Sequence, residues 1–239
     1  KRIADYANLG FGGITVGTAT RNPRLGNTHK PRIGFLENER AIHNSMGLNN
    51  DGIEAIAARV DEQLIRSHKK GLCVGVSVAE TPGLTNENEK IDDILDCFTQ
   101  AYKVGDYIEV NVSCPNTGEN RLDLDTRFSE TIFSEIMRLR NTLGVRKAVF
   151  AKLSPDLSLR GLQTLLDVIS KYGVNGVVLG NTFPTSKMDV LPVKATWDSL
   201  TPLRADGDKG GLSGRPLYEN MFQNVAYVRK NYPKLKVMA

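Results

Sequence analysis

The chain of 239 residues is long enough to bury a substantial core, either as one α/β barrel or as two small domains. Hydrophobic residues make up 40% of it and charged residues 24%, a composition typical of a globular protein and not of a disordered one. The net charge of +4 is spread over interleaved acidic and basic residues, so no nucleic-acid-binding surface is expected.

Residues 1–239 contain no export tag, no membrane-spanning run and no metal-ligand spacing. No apolar run approaches the ~18 residues of a membrane span, and the opening residues KRIADYANLG lack the apolar centre of a signal peptide. The three cysteines form neither a CxxC pair nor a metal-ligand spacing. We therefore expect reduced thiols in a reducing compartment and no metal site.

Short apolar runs alternate along the chain with longer amphipathic segments. The runs are rich in Val, Ile and Leu, which predicts buried parallel strands over 12–18, 71–79, 106–114, 147–154, 173–181 and 234–239. Apolar residues at helical spacing predict helices over 52–71, 92–102, 131–144, 159–173 and 218–233. This alternation is typical of βα repeats.

The six predicted strands favour a (β/α)₈ TIM barrel, an α/β fold that requires eight. We therefore expect one strand to be missing before Lys1 and one after Ala239, with residues 1–239 forming part of a single barrel domain. A doubly wound sheet is the alternative. It is disfavoured because GFGG, at 10–13, precedes a strand, whereas the dinucleotide fingerprint follows one.

Polar residues recur where the predicted strands end. In a βα barrel these ends converge on one mouth, and an unpaired polar group buried there costs ~1–3 kcal/mol. We therefore expect a polar ligand in the mouth. The residues concerned are Gly17, Thr18, Ser77, Asn111 to Asn116, Lys152, Asn181 and Thr182.

Lys152 and Cys114 are the candidate charged and reactive groups of this mouth. A lysine within an apolar strand needs an anionic partner, which is either a nearby carboxylate or an electron-rich cofactor. Cys114 lies in NVSCPN, where the flanking amides suit a planar heterocycle and the thiol is a candidate general base. Cys73 and Cys97 are predicted instead to be small buried hydrophobes.

Two further segments are predicted to contribute to binding. Residues 30–52 show little regular pattern and read as a long lid or substrate loop with an amide-rich centre, NSMGLNN. The stretch GGLSG, at 210–214, is either a flexible turn or a backbone that can approach a phosphate. His68 is expected to be solvated at a polar helix end.

Seven motifs together resemble the dihydroorotate dehydrogenases, the flavin enzymes of pyrimidine biosynthesis, in order and approximate spacing. The motifs are GFGGITVGT, RNPRLGNTHKPR, NSMGLNNDG, NVSCPN, AKLSPDLS, LGNTF and GGLSGRPL. The resemblance implies an FMN-containing barrel that oxidises dihydroorotate to orotate. It also implies that Cys114 removes the C5 proton while a hydride passes from C6 to FMN.

The resemblance assigns roles to particular residues. Those implied to contact FMN are Thr18, Ser77, Asn111, Lys152, Gly180 and Gly214. Those implied to hold dihydroorotate or orotate are Asn44, Ser45, Met46, Gly47, Leu48, Asn111, Asn116, Asn181 and Thr182. Ser77 stands where the quinone-using class of the family usually has an FMN-contacting asparagine, and Gly180 stands where that class usually has a threonine.

The motifs combine features of two classes within the family. GNTHKPR and GGLSGRPL resemble the quinone-using, membrane-associated class, whereas Cys114 resembles the soluble class, which uses fumarate or NAD. The expectation is therefore quinone as acceptor and peripheral location on an inner membrane, bacterial or mitochondrial, with a cytoplasmic enzyme as the alternative. A non-catalytic barrel fragment and a flavin-free barrel enzyme with a cysteine base are the remaining alternatives. If the chain were the whole polypeptide, weak or absent flavin binding and no turnover would be expected.

Overall fold

A computed structural model describes residues 2–28, 31–112, 126–191 and 210–239. Its larger sheet has six parallel strands; five of them fall within predicted runs, and β1 extends one residue, Ala19, beyond the run predicted over 12–18. They are β1 (Gly13–Ala19), β4 (Cys73–Val78), β5 (Tyr107–Asn111), β6 (Ala148–Leu153), β7 (Gly176–Leu179) and β10 (Lys236–Met238). Their order in the sheet is β1-β4-β5-β6-β7-β10, the order of the chain. A doubly wound sheet would reverse direction at a switch point, so this order favours the barrel type.

Five α-helices connect the parallel strands. They are α1 (Ile53–Lys69), α2 (Glu87–Val104), α3 (Thr126–Thr142), α4 (Leu159–Lys171) and α5 (Tyr218–Asn231). Two begin at side-chain caps, where Asn86 accepts from two backbone N–H groups of α2 and Ser158 accepts from one of α4. Short 3-10 helices span Ile3–Leu9, Thr185–Val190 and Arg215–Leu217.

The apolar faces of the helices cover the parallel sheet, as their periodicity predicts. Phe98 of α2 and Phe133 of α3 are fully buried, as are Ile108 of β5 and Val149 of β6. Burying a side chain of this size stabilises the fold by roughly 1.5–3 kcal/mol. The core therefore lies between the helices and the sheet, and the carboxyl ends of the strands remain available for a ligand.

A second sheet corrects two of the sequence-based expectations. It is antiparallel, with the order β2-β3-β9-β8, and comprises β2 (Ile33–Leu36), β3 (Ala41–Asn44), β8 (Phe183–Pro184) and β9 (Gly211–Gly214). Residues 30–52 are therefore not an irregular loop, since they contain a β-hairpin. GGLSG is not a flexible turn either, because it pairs with β3, and the Ser213 hydroxyl donates to the Ile42 carbonyl at 3.1 Å.

Candidate active site

Four polar side chains near the carboxyl ends of β1, β4 and β5 form one hydrogen-bonded chain. The amide Nδ2 of Asn111 donates to Thr18 Oγ1 at 3.1 Å, and Thr18 Oγ1 lies 3.0 Å from Ser77 Oγ. Ser77 Oγ then donates to Glu109 Oε1 at 2.7 Å. Ser77 and Glu109 are direct partners in the β4–β5 register, which explains their contact. Three of the residues implied to bind FMN are thus brought together.

Glu109 is also the anionic partner of Lys152. The Lys152 ammonium lies 3.8 Å from Glu109 Oε1, and the side chains of Lys152 and Glu109 are 24% and 6% exposed. The carboxylate alternative for the partner of Lys152 is therefore present in the structure. Lys152 is also opposite Asn111 in the β5–β6 register, and it retains access to the mouth.

A cleft of about 420 Å³ opens beside Lys152 at the carboxyl ends of β6 and β7. It brings together five residues that the resemblance assigns to cofactor or substrate, namely Lys152, Gly180, Asn181, Thr182 and Gly214. Its remaining polar and aromatic lining comes from Ser213, Arg215 and Tyr218. The parallel sheet therefore supplies one wall of the cleft and the antiparallel sheet another.

The two sheets meet closely near the substrate-assigned residues. Asn44, at the end of β3, is opposite Gly211 of β9. A Cβ at Gly211 would collide with the Thr182 side chain, so a glycine is required for this close approach. Asn181 turns its side chain back, and its Oδ1 accepts from the Thr182 N–H at 2.8 Å. Asn44 and Thr182 are therefore held on either side of one glycine.

The segment from Ser45 to Leu48 is held by asparagines on its flanks. Asn27 Nδ2 donates to both the carbonyl and the hydroxyl of Ser45 at 3.0 Å, and Asn50 Nδ2 donates to the Leu48 carbonyl at 2.8 Å. Gly47 has a φ of 72°, which favours glycine. Ser45 is fully buried, so its side chain supports this segment.

Met46, by contrast, lines an open groove with Pro31, Arg32 and Ile33. None of the residues from Asn44 to Leu48 lines the 420 Å³ cleft. The segment from Ser45 to Leu48 therefore forms a turn outside the cleft. Asn44 is the member of the set that lies near Thr182, because it pairs with Gly211, which packs against Thr182.

The predictions for the cysteines have different outcomes. Cys114 and Asn116 lie outside the described residues, so the base remains a prediction. Cys97 is fully buried in α2 as predicted, and burial raises the pKa of its thiol. The prediction for Cys73 is wrong because it occupies the exposed first position of β4. Partial desolvation of the thiol, followed by the charge of Asp106 and a hydrogen bond to it, nevertheless raises the pKa of Cys73.

Sequence reasoning missed Glu109 and Arg215. The signal for Glu109 was available, since a carboxylate stands in the otherwise apolar strand YIEVN, two residues before Asn111 and on the same face. Arg215 follows the GGLSG stretch and lines the cleft. His68 was expected to be solvated, and its ring is half-exposed and lies 2.9 Å from Asp106.

The described residues contain no metal-binding group and no spanning helix. Within these ranges no three His, Cys, Asp or Glu side chains cluster as metal ligands. No helix in the same part of the chain is both long enough and apolar enough to cross a bilayer.

Parallel strands arranged in chain order, with a cleft at their carboxyl ends, are the arrangement of the α/β-barrel class of proteins. The family model of dihydroorotate dehydrogenase matches residues 1–239, and the chain therefore belongs to that family.

Curated relatives agree with this assignment. A dihydroorotate dehydrogenase (quinone) of Dichelobacter nodosus is 32% identical over 99% of this chain and 67% of its own length. The protein of the same name from Polynucleobacter asymbioticus is 30% identical over 91% of this chain and 60% of its own length. The chain thus spans about two thirds or less of the length of these relatives.

Solved structures agree on the fold. Ligand-free DHODH from Eimeria tenella has a TM-score of 0.77 at 26% identity, covering 94% of this chain and 64% of that one. The complex of that organism's DHODH with ferulenol has a TM-score of 0.76 at 23% identity, covering 99% and 66%. This likeness confirms the predicted α/β-barrel fold.

Proposed function

We propose that the protein oxidises dihydroorotate to orotate with FMN as its cofactor, in the synthesis of pyrimidines. The observation that carries the proposal is the cleft at the strand ends, which joins residues assigned to cofactor with residues assigned to substrate. Family membership supports the same activity. In this proposal residues 1–239 form part of a single FMN-binding barrel domain.

The side chains at the mouth fit a flavin ring. Such a ring is planar and presents carbonyl and N–H edges, which match amide and hydroxyl groups. Thr18, Ser77 and Asn111 supply these groups within one hydrogen-bonded chain, and Lys152 supplies a cation. Gly180 and Gly214, both lining the cleft, let the ligand approach the backbone. These six residues would hold the cofactor.

When bound, FMN supplies the acceptor for the hydride that leaves C6 of dihydroorotate. Cys114 would act as the base that takes up the C5 proton, and the loss of this proton together with the C6 hydride would leave the C5–C6 double bond of orotate. Lys152 stabilises negative charge that develops beside it, as a preorganised cation does at low dielectric. Asn181 and Thr182, together with Asn44 to Leu48 and Asn116, orient the substrate and exclude water.

The proposed electron acceptor is a quinone, since the matching relatives are named as quinone-dependent enzymes. With a quinone as acceptor, the proposed location of the protein is peripheral, on an inner membrane. The cysteine in NVSCPN favours a second candidate, a soluble enzyme that passes electrons to fumarate or NAD in the cytoplasm. Comparing oxidation of the reduced protein by a short-chain ubiquinone, by fumarate and by NAD distinguishes the two.

The absorbance spectrum of the purified protein tests the proposal. We expect a yellow protein whose flavin band bleaches when dihydroorotate is added without oxygen. A protein that is colourless and cannot be reconstituted with FMN would refute it. Orotate binding without FMN binding, measured by calorimetry, would favour a non-catalytic barrel fragment. Turnover without flavin would favour a different cysteine-dependent barrel enzyme.

A further inference from the structure

The hydrogen bonds at the mouth have a fixed direction. Ser77 donates its only hydrogen to Glu109, so its oxygen must accept from Thr18 in the 3.0 Å contact. Thr18 then donates to Ser77 and accepts from the Asn111 amide. Every donor in the chain thus points toward Glu109, and a carboxylate ends the chain because it only accepts.

This direction limits what the two hydroxyls can offer a ligand. Each hydroxyl has one hydrogen and two lone pairs, and the hydrogen and one lone pair are already used within the protein. Toward a ligand, Thr18 and Ser77 can therefore only accept. Any group that they recognise must carry an N–H or O–H, as one edge of a planar heterocycle does.

Glu109 also controls the charge at the mouth. Its carboxylate is 6% exposed and lies 3.8 Å from the Lys152 ammonium. Two unit charges at this distance interact by about 4 kcal/mol at an effective dielectric of about 20. The positive potential that Lys152 presents to the cleft is therefore reduced by its partner.

We propose that Glu109 is a positioning residue that sets both the polarity of the Thr18–Ser77 hydroxyls and the effective charge of Lys152 toward the bound ring. The inference rests on the proposed function, because the ring it acts on is FMN. It adds a carboxylate that the sequence motifs do not assign to any role. It also separates two effects, since the hydroxyl chain governs recognition and the ion pair governs charge.

The reduction potential of the bound flavin and the FMN dissociation constant test the proposal without measuring turnover. Glu109→Gln removes the negative charge and retains the shape of the side chain. Reduced flavin carries more negative charge than oxidised flavin, so its binding should strengthen about tenfold relative to the oxidised form. That ratio raises a two-electron midpoint potential by about 30 mV. Lys152→Met should shift the potential in the opposite direction.

Ser77→Ala separates the two roles. It interrupts the hydroxyl chain and leaves the ion pair in place, so FMN binding should weaken about three- to tenfold. The potential should change less than in Glu109→Gln. The matched control is Glu80→Gln, because Glu80 is a buried carboxylate whose charged neighbours are Lys90 and Asp93. It should leave the potential unchanged.

The outcomes separate failure of this inference from failure of the proposed function. If the unmodified protein does not bind FMN, the proposed function fails. If it binds FMN and Glu109→Gln leaves the potential unchanged or lowers it, the role of Glu109 is refuted. If Glu109→Gln does not fold, Glu109→Asp retracts the charge from Lys152 and should give a smaller rise. An unchanged potential in that variant refutes the role equally.

Discussion

The two sheets divide the candidate site between them. The parallel sheet contributes a buried hydrogen-bonded chain and an ion pair, in which Glu109 accepts from Ser77 and lies beside Lys152. The antiparallel sheet contributes glycines that allow close packing: Gly211 packs against Thr182, and Gly214 lines the cleft. Chemical groups thus come from the strand ends of one sheet, and the shape of the enclosure comes from the other. Changes in the first should alter reaction rates, the flavin potential and FMN binding, and changes in the second should alter orotate binding.

The largest expected effect is that of replacing Cys114, which follows β5 in the sequence, on the rate of flavin reduction. Cys114→Ala should lower the rate of flavin reduction by dihydroorotate by roughly 10²–10⁴-fold, because it removes the proposed general base. Cys114→Ser should retain part of the rate. Stopped-flow absorbance in the absence of oxygen measures both. Cys73→Ser is the control, because it changes an exposed thiol at the amino end of β4, whereas the candidate site lies at the carboxyl ends of the strands. Equal and undiminished rates in both Cys114 variants would remove this thiol from the mechanism.

The next effect concerns the packing beneath the two sheets. Phe133→Ala should lower the free energy of unfolding by about 3–5 kcal/mol, since Phe133 is fully buried between α3 and the parallel sheet. Phe35→Ala should change it by no more than about 0.5 kcal/mol, because Phe35 is 66% exposed on β2. Urea denaturation measures both changes. One face of the antiparallel sheet is already buried through Leu36 and Leu212, so a large loss in Phe35→Ala would show that the opposite face is covered as well.

A third effect concerns the buried carboxyl group of Glu80. Burial, only partly offset by Lys90 and reinforced by Asp93, raises the pKa of Glu80 from 4.5 to about 7. Between these values the folded state binds more protons than the unfolded state. The free energy of unfolding should therefore fall as pH rises from about 4.5 to about 7, by on the order of 3 kcal/mol, and this contribution is constant above that interval.

Denaturation at several pH values checks the Glu80 prediction. Glu80→Gln should remove this fall and be more stable than the unmodified protein at pH 8, since no buried carboxylate has to ionise. The same slope in Glu80→Gln and in the unmodified protein would assign the pH dependence to other groups.

The smallest expected effect is in the wall of the cleft. Gly211→Ala places a Cβ against the Thr182 hydroxyl, and the required shift should cost about 1–3 kcal/mol of stability. Orotate binding should weaken in parallel, because Thr182 is displaced. Gly12→Ala is the matched control, since a Cβ there meets no atom within 4 Å. Calorimetry with orotate and thermal denaturation measure the two variants; orotate affinity unaltered in Gly211→Ala would separate Thr182 from the substrate.

The parallel part of the fold was predictable because its signals are local. Val, Ile and Leu runs located all six parallel strands, and the 3.6-residue period located the helices. The antiparallel sheet was missed for two physical reasons. Its strands have two to four residues and include Gly34, Gly211 and Gly214, and β9 finds its partner β3 far away in the sequence.

For the candidate site, the sequence predicted which kinds of residue stand at the strand ends, but not how they contact one another. Motifs placed Lys152, Asn181 and Thr182 at strand ends, and the cleft joins them. Glu109 was missed because the period-two alternation of a strand shows which of its residues lie on the same face. It does not show which residue of the neighbouring strand lies beside them. Cys73 was predicted to be buried because it lies in an apolar run, but the first residue of a strand lies at its rim.

The pairing of β3 with β9 constrains the order in which the cleft can form during folding. The hydrogen bond from Ser213 to Ile42 joins residues 171 positions apart. The entropic cost of closing a chain segment grows with its length, by about 0.6 kcal/mol for each doubling, and non-local pairings slow folding. During synthesis, β3 must wait for β9 to emerge, whereas β1 and β4 can pair earlier. The wall beside Gly214 should therefore be completed late, and ligand-binding competence should lag behind the formation of helical structure in refolding.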